Sequence, residues 1–486
     1  MKKDLISVYK SVAPPFPTAV MAGSYNISLK DSIGVDAFYD ELFCYLKNGQ
    51  SEWYFSESTM REIAFKVIDK IAQDPTVVLK AQRNFEDYAK KLLSILDKEK
   101  LKKELPDLED GKISELFGKA TDLYQKTTYW PEPAYFCLET LGQEMIRQDF
   151  KKYLRSQKNN INEAEFSEIF ATLSNPTKKS FTAEAELSLL KIALLSRKEK
   201  ERAIKSHANK YYWQIYDYYG PILDEKKIKL ELKDYEKFSQ DIIKRRIRKI
   251  ENFNIEAEQK LQDALSHMPL DQKFSNIFQA LRVFSYFYGD IKKEVVSKAS
   301  VGLGLIIKEI AKRFGVDESD LHYATVAELK TLSEGDNLDI KILKERKKRS
   351  CLKVVDTVYT FLSDEELERF EQLINKKERK AKLVKGMSAS SGLYIGKARL
   401  ISNVSQIDTF QKGEVLVTKM TTVDFVPAMK KAGAIVTDLG GITCHAAIVS
   451  RELGIPCIIA TRNATQIIKT GDKLEVNARH GIVKIL

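Results

Sequence analysis

Glycine is spread unevenly along this chain, and that distribution limits the folds open to it. Ten of the 22 glycines fall between Gly386 and Gly481, leaving twelve for the first 385 residues of 486. A long stretch poor in glycine and rich in Lys, Glu and Leu favours helices, whereas the tail needs tight turns and close backbone approaches. The distribution predicts a multidomain chain: a mainly α-helical region over 1–379 and an α/β domain over 380–486. Polar stretches from Ser156 ("SQKNNINEAE") and Ser174 ("SNPTKKSFT") predict loops that can divide the helical region near 156–182. The charged run "KKERKAKLVKG" around Lys376–Gly386 reads as a tether between the two parts, with the frayed end of a helix as the alternative.

Helical period recurs before the tether. In "FSESTMREIAFKVIDKIAQDP", Ser56 or Ser58 can cap a helix that stops before Pro75, and Ile63, Val67, Ile68 and Ile71 share one face. "VVLKAQRNFEDYAKKLLSILDKEK", "SNIFQALRVFSYFYGDIKKEVVSKAS" and "VGLGLIIKEIAKRFGV" read the same way, with the glycines of "SVGLGL" as helix-packing positions. No fixed-period repeat is present, which argues against a solenoid. The tail is different: "GEVLVTKM", "GAIVTDL", "PCIIAT", "DKLEVNA" and "GIVKIL" are short β-rich runs bounded by Gly or Pro. "DFVPAMKKA" and "HAAIVSREL" are helical segments between them.

Composition narrows the function classes. The net charge of +11 is the difference between 79 basic and 68 acidic residues, a densely charged surface rather than a nucleic-acid footprint. The runs "IKRRIRKI" (Ile243–Ile250) and "ILKERKKRSCLK" (Ile342–Lys353) have acidic residues close by and read as solvated helix faces. Five scattered cysteines form no CxxC pair, so neither a disulfide framework nor a metal site is indicated. No run approaches the roughly 18–20 apolar residues of a membrane helix, and Lys10 and nearby prolines interrupt any signal core. A cytoplasmic protein is expected.

One of only five histidines stands in "DLGGITCHAAIVSRELGIP", Asp438 to Pro456. The pattern is strand, glycine turn, helix, with Thr443 able to cap the helix and Gly454 and Pro456 ending it. His445 then lies in the first turn, where free backbone N–H groups and the macrodipole suit an anion and disfavour imidazolium. A neutral ring there can attack phosphorus and hold the anionic group it acquires. Gly440 and Gly441 allow close approach of a phosphate, and Arg451 lies almost two turns on. Cys444 invites a thiol-nucleophile reading, but neighbouring side chains on a helix diverge by roughly 100°, poor geometry for a Cys–His pair. Capping or surface placement is the plain alternative for such a histidine.

The run Gly440–Pro456 closely resembles the phosphohistidine signature of the phosphoenolpyruvate-utilising enzymes, of the phosphoenolpyruvate synthase, pyruvate phosphate dikinase and rifampicin phosphotransferase type. "KGMSASSGLYIGKARL" resembles that domain's opening strand pair and "GEVLVTKMTTVDFVPAMKKAGAIVTD" its middle. The resemblance implies a swivelling β/β/α domain with His445 as phosphoryl carrier, reachable from solvent and facing amide donors. Gly440, Gly441, Thr443 and Cys444 would shape the phosphate loop, with Arg451 neutralising charge.

Family enzymes also need a site that loads the histidine and one that discharges it. No Gly-rich phosphate loop after a strand is evident before residue 380, and the chain ends after the histidine domain. The expectation is a chain lacking ATP-grasp and barrel domains. It would be served by a separate ATP-grasp-type nucleotide-binding protein holding ATP and Mg²⁺, with a hydroxyl or enol compound as acceptor. "SHANKYYWQIYDYYGP" from Ser206 resembles, more weakly, a helical segment of phosphoenolpyruvate-synthase-like proteins; His207 and Trp213 are its acceptor-binding candidates, with core packing as the alternative. Two other classes stand beside this one: a non-catalytic regulatory or interaction protein retaining the domain, and a basic helical nucleic-acid-binding protein.

Overall fold

A computed structural model describes residues 5–11, 29–37, 39, 41–47, 49–130, 132–157, 161–216, 220–268, 270–355, 358–374, 383–441 and 444–486. They divide into two compact units, one drawn from 1–149 and 295–381, the other from 150–216, 220–294 and 382–486. The unit changes at 381/382, two residues past the expected 379/380 border, but 150–216 and 220–294 of the helical region fall in the same unit as the C-terminal body. Helices within 150–294 pack with the C-terminal α/β body as one unit, because that body's outward helix is covered by them. The expected tether falls largely on 375–382, outside the described residues. Its end does not behave as a tether: Leu383–Lys385 is a strand paired with the last strand of the chain, and Gly386 N–H donates to Gly481 O at 2.9 Å.

In the first unit, helix Glu57–Gln73 is capped by Ser56, whose hydroxyl accepts from Thr59 N–H. It buries Met60, Ile63, Ala64, Val67, Ile68 and Ile71 on one face. Each fully buried aliphatic side chain there contributes about 1.5–3 kcal/mol relative to exposure. Helix Thr76–Ile95 buries Val77, Val78, Ala81, Phe85, Ala89 and Leu92 in the same way. In helix Lys293–Phe314, Gly302 lies against the backbone after Thr76–Ile95: a Cβ there would stand 2.6 Å from Leu96 O. Helix packing thus accounts for that glycine.

The first unit also holds a sheet that helical periodicity does not reveal. Strands β1 (Leu5–Ser11), β2 (Leu42–Lys47), β3 (Gln50–Ser56), β4 (Arg349–Val355) and β5 (Val358–Phe361) form an antiparallel sheet in the order β1-β3-β2-β4-β5. Helix Asp364–Ile374 covers it through Leu367 and Phe370, which meet Phe43, Tyr45 and Tyr54. The two halves of this sheet come from opposite ends of the region, so no local pattern joins them.

The C-terminal body contains β6 (Leu383–Lys385), β7 (Met387–Ser390), β8 (Leu393–Leu400), β9 (Val415–Thr418), β10 (Ala434–Thr437), β11 (Cys457–Ile459), β12 (Lys473–Asn477) and β13 (Ile482–Ile485). Their order is β6-β13-β12-β8-β9-β10-β11-β7, with β8, β9, β10 and β11 mutually parallel. The expected opening strand pair does not pair: β7 lies at one edge beside β11, and β8 sits centrally between β12 and β9. Strands β9 and β10 are buried on both faces, as parallel strands covered on each side must be. Leu416 and Ile435 point to one apolar layer, and Val415, Val417, Ala434 and Val436 to the other.

These contacts separate two helix glycines. Gly302→Ala is expected to destabilise the first unit by about 1–3 kcal/mol, because a backbone carbonyl blocks the added methyl. Gly118→Ala, whose added Cβ meets nothing within 4 Å, should stabilise by about 0.5–1 kcal/mol. Urea unfolding of the two variants measures both, and the signs should be opposite.

Candidate functional site

The site is assembled where β10 ends. Asp438 N–H donates to Thr418 O at 3.2 Å and Leu439 N–H to Lys419 O at 2.8 Å, tying the turn to the end of β9. The buried Asp438 carboxylate accepts from the hydroxyls of Thr461 and Thr465 and from Thr465 N–H, which fastens the segment after β11 to the same turn. Burial raises its pKa despite those donors. Gly440 has φ +109°, a conformation L side chains rarely adopt, and its missing Cβ would lie 2.6 Å from Cys444 Sγ. Cys444 folds over that glycine and donates its N–H to Gly441 O at 3.0 Å.

Helix His445–Leu453 follows, with Cys444 in the capping position and no side-chain cap. Thr443, the expected cap, lies outside the described residues, as does Ile442. The helix ends at Gly454, which has φ 69°, and Ile455 N–H reaches back to Ser450 O at 2.9 Å. Ala446, Ala447, Val449 and Ser450 face the sheet and are buried.

His445 is thus the first helical residue. Its Nδ1 lies 2.9 Å from the hydroxyl of Thr421, a buried residue in the segment after β9. Nε2 is enclosed and makes no hydrogen bond among the described residues, although part of the residue keeps contact with solvent. Burial pushes the ring's pKa down to about 3, with a further lowering from the Lys293 ammonium. The ring is neutral at pH 7, but the helix N-terminus is not the chief cause; desolvation is. Nε2 is also not open to solvent in this arrangement, contrary to expectation. Its surroundings are nevertheless polar in part, with a hydroxyl on one nitrogen and a cation acting on the ring.

The helix face that carries His445 meets helices of the same unit. Ser180 caps helix Phe181–Ala193, and the turn Phe287–Lys292 is π-helical, a local widening often found at functional sites. A Cβ at Gly289, in that turn, would stand 3.4 Å from Ile448 Cδ1. Glu452 accepts from the hydroxyls of Ser180 and, at 3.4 Å, Thr182; burial pushes its pKa up to about 7. His445, Ile448 and Glu452 recur at i, i+3 and i+7 and so share the helix face turned toward these residues.

Other candidates lie elsewhere. Arg451 sends Nη1 to Ala389 O at 3.4 Å, on β7, and burial lowers its pKa to about 10. The cation acting on the ring is Lys293, not Arg451. His207 is 2% exposed, with Nδ1 2.9 Å from Ser188 Oγ and its ring 4.7 Å from that of Tyr211. Trp213 is 1% exposed and donates Nε1–H to Lys210 O. Both are packed into helical core rather than lining an open acceptor pocket. Thr421, Lys293 and Glu452 were not singled out by sequence reasoning; no local pattern places any of them beside His445, although Glu452 stands within the signature.

Several basic-run residues are engaged within the fold. Arg346 makes a bidentate pair with Glu328, Arg349 pairs with Glu371, and Arg246 pairs with Glu186. Among the described residues no helix is long and apolar enough to cross a membrane.

Comparison with known proteins agrees with the local sequence. Residues 410–481 match the family described as PEP-utilising enzyme, mobile domain. A probable phosphoenolpyruvate synthase of Methanothermobacter thermautotrophicus is 52% identical over 101 residues, 21% of this chain and 15% of that protein. One of Pyrococcus abyssi is 35% identical over 210 residues, 40% of this chain and 25% of its own length. That match is longer than the C-terminal body and so extends into the preceding region. The phosphoenolpyruvate synthase of Pseudomonas aeruginosa is 37% identical over 175 residues, 36% of this chain and 20% of that one. The chain therefore corresponds to a quarter or less of the length of these relatives.

The low pKa of His445 has a thermodynamic consequence. The unfolded ring takes a proton near pH 6.5 and the folded ring only near 3, so the stabilising difference is present above about pH 6.5 and is lost as pH falls toward 3. Heteronuclear NMR titration should place the His445 midpoint below pH 5. His445→Gln should make stability fall less steeply across that window.

Proposed function

From the match of residues 410–481 to the mobile domain of the PEP-utilising enzymes, we propose that this chain is the histidine-bearing component of a dikinase-like phosphotransferase. The observation that carries this reading is the division of labour on one ring: Nδ1 lies against the Thr421 hydroxyl, and Nε2 has no partner among the described residues. With Nδ1–H donating to the threonine hydroxyl, the lone pair resides on Nε2, which is the nucleophile. By family resemblance the ring attacks the β-phosphorus of ATP. The Nε2–P bond forms, the bond to the α-phosphate oxygen breaks, and AMP leaves; water then releases the terminal phosphate.

ATP and Mg²⁺ belong on a separate ATP-grasp-type protein, where the metal offsets phosphate charge during transfer. The acceptor is a hydroxyl or enol compound presented by the helical part of the same unit. Lys293 supports that placement, because it sets a positive charge from those helices beside the ring that would bear the phosphoryl group. The phosphate loop consists of Gly440, Gly441, Thr443 and Cys444. Arg451 anchors the helix to β7 rather than meeting phosphate. The internal pairing of Arg346, Arg349 and Arg246 weighs against a nucleic-acid partner.

The reading is tested in cell extract with ATP labelled at the β or the γ position. Acid-labile, base-stable β-label is expected on the wild type and none on His445→Ala. Thr421→Val should lower the labelling rate by about tenfold or more, since the ring loses the hydroxyl that orients it through Nδ1. Equal labelling of wild type and His445→Ala would exclude the carrier role.

A further inference from the structure

The histidine-bearing body meets the helices of its own unit through several contacts that flank His445. Glu452 is held by the hydroxyls of Ser180 and Thr182, Ile448 meets the turn at Gly289, and Lys430 Nζ donates to Tyr235 Oη at 2.8 Å with Glu231 at 3.4 Å. Lys430 belongs to the C-terminal body; Tyr235 and Glu231 belong to helix Glu225–Tyr235. Polar contacts along a seam between packed layers of this kind can open locally without global unfolding.

The buried groups at the seam oppose one another. Glu452 faces Ser180, Thr182 and Glu186 on one helix, Arg451 on its own helix, and Asp290 on the π-helical turn. Asp290 in turn faces Phe181 N–H, which donates to it at 2.5 Å, together with Glu294 and Tyr286. Glu186 is already paired with Arg246. Ionisation of Glu452 or Asp290 works against closure, because burial holds both near 7. Protonation of His445 also works against closure, from the acid side, because the enclosed ring resists the proton. The seam is poised between these two pressures.

We propose that Glu452 on Ser180 and Thr182, together with Lys430 on Tyr235, forms an intramolecular latch that keeps His445 Nε2 shut against the helices of its own unit, so that opening the seam controls access to the ring. The latch goes beyond the carrier reading and does not need it: it concerns who can reach the imidazole, whatever group is transferred there.

Carbethoxylation of the full-length chain by diethyl pyrocarbonate, followed by peptide mass spectrometry, measures the reactivity of each histidine separately. His267 and His480 are exposed and serve as internal references. At pH 7.5 wild-type His445 should react about tenfold or more slowly than His480. Glu452→Ala and the milder Tyr235→Phe should each raise the His445 rate several-fold, about fivefold for the former, with His267 and His480 unchanged. Unchanged circular dichroism distinguishes an opened latch from a fold that has failed; should Glu452→Ala not fold, Tyr235→Phe decides. Wild-type His445 reacting as fast as His480, or no acceleration in the folded variants, overturns the latch. Phosphoryl labelling plays no part in this readout, so failure of the carrier reading and failure of the latch remain separate results.

Discussion

The helix His445–Leu453 is gripped on two sides, and the rest of the site follows from that grip. Ala446, Ala447 and Val449 anchor it in the apolar layer formed by Leu416, Ile435, Cys457 and Ile459. A helix is stiff and turns about 100° per residue, so fixing those three positions also fixes where 445, 448 and 452 point. They point at the helices of the same unit. The sheet therefore decides which side of the histidine helix is presented, and what lies on that side decides the chemistry of the ring.

Burial is the dominant electrostatic force at this seam. It drives His445 down to about 3 and His207, deeper in the helical layer, to about 4, while raising Glu452 and Asp290 to about 7. In each case the charged form is the one penalised. A site governed by the helix dipole would respond mainly to local backbone geometry. One governed by desolvation responds to whether its cover is in place.

Thr421 and Asp438 divide the remaining work. Thr421 orients the imidazole through Nδ1, and Asp438 ties the segment at Thr461–Thr465 to the glycine turn preceding the histidine. Gly440 accepts a backbone conformation closed to other residues and leaves room for the Cys444 side chain. The glycine turn is therefore a packing device, its Gly440 required by the cysteine above it.

The sequence by itself determined the local elements. The i, i+3, i+4 spacing of Ile63, Val67, Ile68 and Ile71, the capping serine at 56, and the Gly- and Pro-bounded strands of the tail are encoded within a few residues. The strand–glycine–helix frame around His445 was legible for the same reason. Only the tertiary structure decided what those elements meet. The sheet uniting β1–β3 with β4–β5 joins segments some three hundred residues apart, and β7 and β8, neighbours in the chain, are separated across their sheet. Thr421 reaches His445 from another strand end, Lys293 acts on its ring from a distant helix, and Ser180 reaches Glu452 on the same helix face. Short-range periodicity records which face of an element is apolar, because that depends on backbone pitch alone. It cannot record which distant surface covers a face, because that depends on how whole layers pack, and here that cover sets the charge and the accessibility of the histidine.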